Sequence, residues 1–278
     1  MSRLALCSIQ KNRAPWLAEW VVFHALRGVS KFYLYLHGCT DESLTVAGAL
    51  RRHFDLEVVV IAQEVMAPQL KAYNHCYATQ GHKHDWIGFL DGDEFLFSPK
   101  FDDIGSVLEQ YKYQRLSALA VYWAIFGSSA HKTEPRGLLI ENFTRCATVD
   151  FEANTHIKSI VAGGQGDVVK PVTAHHFKTI YGTFDTAGRE ISWGYTQNTP
   201  DYSQLRINHY VTQSLEYFVK SKSISGKADI SPLANRDLSW FHAHDRNEAE
   251  DHSIRRFSHK VEQTLRSIDL FERFEYAP

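Results

Sequence analysis

The 278-residue sequence has few cysteines, no excess of either charge and no long apolar run. Its four cysteines are scattered without a CxxC pair, which argues against a zinc site or a disulfide framework and favours reduced thiols. A formal net charge of −2 offers no basic field, so nucleic acid is not an expected partner. No apolar run approaches the ~20 residues that span a bilayer, and the first residues lack a signal-peptide core. We therefore expect a cytoplasmic protein with no transmembrane segment.

Strand and helix patterns alternate through the first hundred residues, and the hydrophobic share of 44% is sufficient for one large domain. The strand-like segments are LALCSI, KFYLYL, LEVVVI and WIGFL. The helix-like segments between them are APWLAEWVVFHALRG, DESLTVAGALRRHF and PQLKAYNHCYATQG. Proline near the start and glycine at the end mark the first and third of these helices. The alternation predicts an α/β fold with a parallel sheet that has helices on both faces.

An acidic cluster interrupts the apolar stretch WIGFLDGDEFLF, residues 86–97. Asp91 is the first residue beyond the fourth predicted strand, and Asp93 and Glu94 follow after one glycine. In open α/β sheets, ligands bind beyond the carboxyl ends of the strands. Two carboxylates with open coordination positions suit Mg²⁺ or Mn²⁺ together with a phosphorylated ligand. A type I turn also favours Asp, but a turn alone explains neither the surrounding apolar residues nor three carboxylates beside a core.

Several segments together resemble glycosyltransferase family 92 and the allied bacterial family 2-like glycosyltransferases. The family pattern has a KNE segment, an EW helix, a YDNGSTD loop and a W-x-x-F-x-D-x-D-E-F element. The similar segments here, in the same order along the chain, are CSIQKNRAPWLAEW, YLHGCTDES, WIGFLDGDEFLF, VYWAIFGSSAHK, GLLIENFTRC, INHYVTQSLEYF and HDRNEAED. The resemblance covers most of the chain. It implies a GT-A fold, which is a Rossmann-like, mixed and mainly parallel sheet flanked by helices.

The resemblance also implies that the DxD segment holds a divalent cation, Mn²⁺ or Mg²⁺, on the diphosphate of a UDP- or GDP-sugar. Such a cation stabilises the negative charge that develops on the leaving nucleoside diphosphate. Asp91 and Asp93 are the metal ligands that the resemblance implies. A late histidine is the expected third ligand: His175 and His176 are candidates, and we favour His209, where the resemblance is strongest.

The nucleotide is expected to lie among the ends of the first two strands and the helix before the acidic cluster. The residues that the resemblance places there are Ser8, Lys11, Asn12, Asp41, Gln69, Asn74, Asp91 and Gly92. Each could also be a helix cap or a surface polar group. The chain departs from the family pattern nearby, because Arg13 replaces a glutamate, and Leu36 and His37 replace Asp and Asn. Arg13 could pair with an additional phosphate, but we expect it to be a solvated residue where the first helix starts.

The second half of the sequence is less regular. Its predicted strands, which would continue the sheet and form the acceptor wall, are GLLIENF, THIKSIVAG, DVVKPV and TAHHFKTIYG. An inverting transfer needs a base for the acceptor hydroxyl, and a carboxylate is the usual choice. Glu141 and Asp185 are the candidates, with a preference for Glu141. Trp123 and Phe126 are either a sugar-stacking platform or plain core.

The domain prediction divides the chain at residue 212. Residues 1–212 form the GT-A glycosyltransferase domain, with a nucleotide-binding half at about 1–100 and an acceptor half at about 101–212. Residues 213–278 form a C-terminal helical extension, in which DHSIRRFSHKVEQTLRSIDLF has the apolar spacing of an amphipathic helix. The polar segment KSKSISGKADISPLANRD before it is predicted to be a mobile loop or a lid over the donor.

These inferences predict a metal-dependent glycosyltransferase, of inverting and hexosyltransferase type, that moves a sugar from a nucleotide-sugar donor to a glycan or glycoconjugate acceptor. The resemblance implies a role in surface polysaccharide synthesis. Two other classes stay open. One is a catalytically inactive sugar-binding protein derived from a transferase. The other is a metal-dependent nucleotidyl or phosphoryl transferase, which also needs paired aspartates.

Overall fold

The computed structural model describes residues 2–224 and 236–271 of the chain. The strands in these residues are β1 (Leu4–Gln10), β2 (Val29–His37), β3 (Leu56–Ile61), β4 (Trp86–Phe89), β5 (Glu94–Phe97), β6 (Ala118–Ile125), β7 (Arg145–Cys146), β8 (Ile157–Ala162), β9 (Lys170–Pro171), β10 (Phe177–Lys178), β11 (Thr183–Asp185), β12 (Glu190–Ile191), β13 (Arg206–His209) and β14 (Ala249–Glu250). The α-helices are α1 (Ala14–Leu26), α2 (Ser43–Leu50), α3 (Pro68–Gln80), α4 (Ile104–Leu108), α5 (Leu139–Asn142), α6 (Leu215–Tyr217), α7 (Leu238–His244) and α8 (Ser258–Ser267). A π-helical turn covers Phe218–Lys222, and 3₁₀ helices cover Gly81–Lys83, Glu109–Tyr111, Glu152–Thr155, Gly166–Val168 and Ser253–Phe257.

The first hundred residues form the predicted alternation of strands and helices. β1 is buried along its whole length, as expected for the continuous apolar run of a central parallel strand. α1 has a proline in its first turn and ends before Gly28, whose φ of 92° favours glycine. α3 likewise begins at Pro68. The four strands and three helices predicted for this region are confirmed, although α2 already ends at Leu50.

One large sheet forms the centre of the molecule, with the strand order β12-β11-β6-β8-β4-β1-β2-β3. β4, β1, β2 and β3 are parallel, whereas β8 is antiparallel to both β4 and β6. β13 lies between β5 and β6, antiparallel to β5 and parallel to β6. Apolar side chains of α1 and α2 pack on one face of the sheet, and those of α3 pack on the other. The predicted fold class, a GT-A-like mixed and mainly parallel sheet flanked by helices, is confirmed.

The second half departs from several predicted strands. THIKSIVAG contains β8, as predicted, but GLLIENF forms the helix α5 instead of a strand. The carboxylate of Glu19 accepts hydrogen bonds from the backbone amides of Leu139 (2.8 Å) and Ile140 (3.0 Å). A residue far away in the sequence thus provides the N-terminal cap of α5. DVVKPV and TAHHFKTIYG contribute the two-residue strands β9 and β10, which pair with each other outside the large sheet.

The C-terminal helix packs back onto the first helix of the fold. The predicted amphipathic segment is a 3₁₀ helix followed directly by α8. Its buried apolar side chains are Ile254, Phe257, Val261 and Leu265. Phe257 meets Phe23 of α1 edge to face, with 5.8 Å between the ring centroids. The helical extension is therefore part of the core that surrounds α1.

Two further predictions concern this part of the chain. The division into domains at residue 212 stays a prediction. Most of the predicted lid, residues 225–235, lies outside the described residues. In residues 2–224 and 236–271, no helix has both the length and the apolar character needed to cross a membrane.

Candidate active site

A pocket of about 330 Å³ opens at the carboxyl ends of the central strands. Lys11 follows β1, Asp91 and Asp93 follow β4, and His209 is the last residue of β13. Because strands with the same direction end at the same edge of a sheet, side chains far apart in the sequence converge here. The C-terminal side of the pocket is lined by Tyr217, Lys222, Arg236, Trp240 and His244.

Asp91 is held on both carboxylate oxygens by neighbouring side chains. Oδ1 accepts hydrogen bonds from Gln69 Nε2 (2.6 Å) and Tyr73 Oη (3.4 Å), and Oδ2 accepts one from Lys158 Nζ (2.9 Å). Lys158 is fully buried and also donates to the carbonyl of Ala174 (3.3 Å). Burial raises the pKa of Asp91, but the charge and hydrogen bond of Lys158, with a contribution from His175, bring that pKa below its usual value. Asp91 is therefore a charged residue whose oxygens are already engaged.

Glu94 supports the same buried ion pair. Its side chain has no solvent exposure, and Oε2 accepts a hydrogen bond from the backbone amide of Asp91 (2.9 Å). Lys158 Nζ lies 3.6 Å from that oxygen. Burial raises the pKa of Glu94 well above its usual value, and the neighbouring aspartates add to this although Lys158 opposes it. Glu94 thus fixes the backbone of the acidic turn and shares a cation with Asp91.

Asp93 faces two basic side chains at the rim of the pocket. Lys222 Nζ forms an ion pair with Oδ2 at 2.5 Å, and His209 Nε2 lies 3.5 Å from Oδ1. The three side chains are between 7% and 13% exposed, so water screens these interactions little. Burial raises the pKa of Asp93, but Lys222 and His209, with Arg13, hold it well below its usual value. Asp93 is thus ionised at neutral pH.

His209 lies beside the acidic cluster, 3.5 Å from Asp93. Burial lowers its pKa although Asp93 opposes this, so the imidazole is neutral and keeps a lone pair. Nδ1 of the same ring is buried without a hydrogen-bond partner among the described residues. His175 also lines the pocket, but its Nδ1 interacts with the carbonyl of Ile157 (3.0 Å). His176 is not one of the residues that line this pocket.

The donor atoms fit a divalent cation at Asp93 and His209 rather than at the two aspartates. Carboxylate oxygen and neutral imidazole are both ligands of Mn²⁺, and Asp93 Oδ1 and His209 Nε2 lie 3.5 Å apart at the pocket. Asp91 also lines the pocket, but its Oδ2 is already paired with Lys158. In the described part of the chain, no three His, Cys, Asp or Glu side chains are grouped to hold a metal. Diphosphate oxygens and water would have to complete the coordination shell.

Arg13 is buried, so the expectation of a solvated residue is wrong. One guanidinium nitrogen donates to the carbonyl of Gly92, between the two aspartates (3.0 Å). Another donates to Gln213 Oε1 (2.9 Å) and Tyr217 Oη (2.8 Å). The guanidinium also lies over the ring of Trp16, 4.4 Å from its centroid. A single side chain therefore joins the acidic turn to the C-terminal segment.

A second cavity, of about 460 Å³, shares Lys11 with the first pocket. Its lining residues are Lys11, Asn12, Gly38, Cys39, Thr40, Gln63, Lys220, Ser221 and Ile224. Among the residues expected at the nucleotide, Asn12 lines this cavity, and Gln69 and Asp91 line the first pocket. The two cavities together thus include half of the predicted nucleotide contacts.

The other predicted nucleotide contacts have different surroundings. Ser8 is fully buried in β1, and Asn74 is exposed on α3. The Asp41 carboxylate accepts hydrogen bonds from the backbone amides at the start of α1 (2.9 Å) and of α2 (3.0 Å), so it caps both helices. Gly92 turns its carbonyl to Arg13. Asp41 is therefore a helix cap, which was the alternative to a nucleotide contact.

The two candidate bases are not brought to the pocket. Asp185 is fully buried at the end of β11, where Tyr122 Oη (2.9 Å) and Arg189 Nε (2.7 Å) donate hydrogen bonds to Oδ2. Glu141 lies in α5 and is not one of the residues around the pocket. The polar requirements of Asp185 are satisfied inside the fold, and neither carboxylate faces the acidic cluster.

Indole and imidazole rings form much of the remaining pocket wall. Trp123 stacks on His156, with 5.1 Å between the ring centroids and 13° between the planes. Trp240 stacks on His244 with a centroid distance of 3.9 Å. Rings with an apolar face and a polar edge suit contact with a sugar ring. Phe126, the other platform candidate, is fully buried core.

Sequence reasoning missed Lys158 and Lys222, which pair with the two aspartates. Lys158 does carry a signal, because it is the single charged residue of the apolar strand IKSIVA, and a buried lysine needs a charged partner. Lys222 belongs to the polar stretch KSK together with the exposed Lys220. Nothing in the sequence distinguishes these two lysines.

The sequence matches the family model described as Glycosyltransferase family 92 over residues 3–265. A glycosyltransferase family 92 protein of Oryza sativa subsp. japonica is 26% identical over 222 residues, which cover 77% of this chain and 34% of that protein. A second family 92 protein, of Ricinus communis, is 25% identical over 221 residues, which cover 77% of this chain and 36% of that protein. The chain spans about a third of the length of these curated relatives.

Two solved structures show a weaker likeness. S. aureus TarS 1–349 in complex with UDP-GlcNAc has 12% sequence identity and a TM-score of 0.38, and the match covers 58% of this chain and 45% of that chain. Glucosyl-3-phosphoglycerate synthase from Mycobacterium tuberculosis, in complex with Mn²⁺, UDP-glucose and phosphoglyceric acid, has 15% identity and a TM-score of 0.32, with 44% of each chain covered. At these scores, neither likeness assigns a ligand or an activity to this chain.

Proposed function

The chain belongs to glycosyltransferase family 92, and we propose that it transfers a sugar from a nucleotide-sugar donor to a glycan or glycoconjugate acceptor. The observation that carries this proposal is the convergence of Asp93, His209 and Lys222 in one pocket at the carboxyl ends of the sheet. Ligands of open α/β sheets bind at that edge. A carboxylate, a neutral imidazole and an ammonium together suit a diphosphate and its counter-ion.

We propose that the transfer depends on Mn²⁺ or Mg²⁺. A bound divalent cation supplies electrostatic stabilisation of the negative charge on the departing nucleoside diphosphate. Asp93 contributes the negative charge that attracts the cation, and His209 contributes a neutral nitrogen. Asp91 stays paired with Lys158 and fixes the turn that carries Asp93. The metal ligands of the protein are thus Asp93 and His209 in this proposal, with Asp91 in a supporting role.

The donor is proposed to span the two cavities. Lys11 lines both of them, so its ammonium is placed to contact the diphosphate between the two. We assign the nucleoside, uridine or guanosine, to the second cavity, whose polar lining includes Asn12 and Thr40. The sugar would then lie in the first pocket, toward Asp93. This arrangement places the breaking bond next to the proposed metal ligands.

We assign the acceptor to the pocket wall that carries Trp123 and Trp240. The rings offer flat apolar surfaces to a sugar, and they limit the access of water to the reacting centre. Burial lowers the pKa of His156 and of His244, so these imidazoles are neutral and keep a lone pair for a proton, whereas the pKa of His175 falls to about 3 and makes it too weak a base. Because the carboxylates expected as bases lie elsewhere, we propose that the base of an inverting transfer is His156 or His244.

We further propose a hexosyltransferase that acts in the cytoplasm, in surface polysaccharide synthesis. All four cysteines are free thiols, which is consistent with a reducing compartment. The role in surface polysaccharide synthesis is proposed from the resemblance to the family. Turnover with a panel of oligosaccharide acceptors tests it.

The test is a thermal-shift titration with UDP-sugars and GDP-sugars, each with and without MnCl₂. A ligand that binds the folded state raises the melting temperature, so the donor should give a shift that requires the metal. Turnover is then measured with the donor that gives the largest shift and with a panel of oligosaccharide acceptors. The absence of a shift with every nucleotide sugar would contradict the donor assignment.

Asp93→Asn should remove the metal-dependent part of the shift and lower turnover by more than about a hundredfold, because the cation loses its anionic ligand. Each shift is measured against the melting temperature of the same variant without ligand. Asp167→Asn is the matched control, since Asp167 is exposed in the 3₁₀ helix Gly166–Val168 and the substitution removes the same charge. Normal turnover by Asp93→Asn would refute the metal role.

A further inference from the structure

We propose that Lys222 competes with the divalent cation for Asp93, and that the donor diphosphate ends this competition by binding the displaced ammonium. The inference rests on the proposed function. It adds a coupling between the binding of the divalent cation and the binding of the donor diphosphate. The metal alone should bind weakly, whereas metal and nucleotide should bind tightly together.

The competition follows from the position of the Lys222 ammonium. Lys222 Nζ forms an ion pair with Asp93 Oδ2 at 2.5 Å, on the carboxylate that also faces His209. The side chains of Lys222 and Asp93 are 12% and 13% exposed, so bulk water weakens charge interactions here only partly. Two cations beside one poorly hydrated carboxylate repel each other. A divalent cation at Asp93 and His209 must therefore displace the ammonium or bind with reduced affinity.

The backbone that carries Lys222 is anchored without its help. Arg13 donates hydrogen bonds to Gln213 and Tyr217, and the ring of Tyr217 meets Trp16 edge to face with 4.7 Å between centroids. Lys222 is the last residue of the π-helical turn that follows, and such turns are frequent at functional sites. Its ammonium stands on a flexible four-carbon stem. The side chain can therefore change its partner while the backbone stays in place.

A nucleoside diphosphate offers Lys222 a replacement partner. Lys222 and Lys11 line the same pocket as Asp93, so phosphate oxygens bound between them would accept hydrogen bonds from the ammonium. Asp93 then has its oxygens free for the cation. The diphosphate draws the Lys222 ammonium away from the cation site, and the cation at Asp93 releases the ammonium to the diphosphate. Each ligand therefore strengthens the binding of the other, which is positive coupling. Lys158 has no comparable freedom, because it is fully buried between Asp91 and Glu94.

The experiment measures Mn²⁺ binding to the full chain by isothermal titration calorimetry, first without nucleotide and then with saturating UDP. The wild type should bind Mn²⁺ about tenfold or more tightly with UDP than without it. Lys222→Met should bind Mn²⁺ alone about tenfold more tightly than the wild type does, and UDP should then add less. Lys222→Arg keeps the charge and should keep the weak binding of Mn²⁺ alone.

Lys260→Met is the charge-matched control, because Lys260 is exposed on α8, and this variant should bind Mn²⁺ as the wild type does. If Lys222→Met binds Mn²⁺ alone no more tightly than the wild type, Lys222 is not a competitor, whatever the donor and turnover assays show. If no protein binds Mn²⁺ even with UDP, the competition and the metal dependence are both refuted. Nucleotide-sugar turnover in EDTA would then show that the transferase assignment survives. Should Lys222→Met fail to fold, Lys222→Gln provides the same comparison.

Discussion

The two aspartates of the acidic turn have different surroundings, although only one glycine separates them. Asp91 pairs with Lys158, a fully buried lysine of β8, on what we call the floor of the site. Asp93 pairs with Lys222, a partly exposed lysine of the C-terminal segment, on what we call the rim. Two residues of the same type in one motif therefore have different roles. The floor pair fixes the turn, and the rim pair remains available for exchange.

The burial of the two lysines explains the difference between the floor and the rim. An ammonium that loses all its water is retained only where carboxylates and hydrogen bonds compensate the lost hydration. Lys158 has Asp91 at 2.9 Å and Glu94 at 3.6 Å, and it donates to a carbonyl as well. Lys222 keeps some contact with water, so leaving Asp93 costs it less. The floor is therefore a structural element, whereas the rim can respond to ligands.

The largest effect is expected when the floor is broken. Lys158→Met should lower the free energy of unfolding by about 3–5 kcal/mol, because Glu94 would stay fully buried, and Asp91 partly buried, without the cation they share. Urea unfolding followed by circular dichroism measures the change. Lys170→Met, at an exposed position of β9, is the control and should stay within about 0.5 kcal/mol of the wild type. A loss below about 1 kcal/mol for Lys158→Met would show that the floor pair is not structural.

A smaller effect is expected when the link between floor and rim is weakened. Arg13→Lys should lower the free energy of unfolding by about 2 kcal/mol, because one ammonium cannot replace the separate hydrogen bonds to Gly92, Gln213 and Tyr217. Arg52→Lys, at an exposed position after α2, should be neutral in the same urea titration. Unchanged stability in Arg13→Lys would mean that the acidic turn and the C-terminal segment hold their positions independently.

The smallest effect on stability is expected at the rim itself. Without metal or nucleotide, Lys222→Met should lower the free energy of unfolding by about 1 kcal/mol, because Asp93 keeps some access to water and to His209. The same urea titration, with the Lys260→Met variant as reference, measures this change. If the loss equals that of Lys158→Met, the distinction between an exchangeable rim and a fixed floor fails.

The parts of the structure that follow from local pattern could be predicted from the sequence. β1 to β4 are apolar runs separated by helices, and proline starts or glycine ends mark some of these helices. The strands that lead to the acidic turn could therefore be predicted from the sequence. α5 was predicted as a strand, because its cap comes from Glu19, which is remote in the sequence. Local propensity carries no information about such a partner.

The candidate site could be predicted only where a motif marks it. Asp91 and Asp93 stand out within an apolar stretch, and His209 came from the family resemblance. Lys158 meets Asp91 because β8 runs antiparallel beside β4, a pairing that the sequence does not reveal. Asp185 was a candidate base, but Tyr122 of β6 and Arg189, four residues further along the chain, donate hydrogen bonds to its carboxylate. The roles of Asp91 and Asp185 therefore depend on contacts with residues that are distant in the sequence, which a local pattern does not show.

The position of β13 has a consequence for how the molecule assembles. β13 fits between β5 and β6, and its last residue, His209, is opposite Glu94. Since β13 follows both neighbours by a long stretch of chain, β13 can join β5 to the end of β6 only after this late segment has been made and inserted. Closing so long a loop costs conformational entropy and slows folding, whereas β1, β2 and β3 pair with sequence neighbours. We expect refolding chains to regain helical signal early and ligand affinity last, in the slowest kinetic phase.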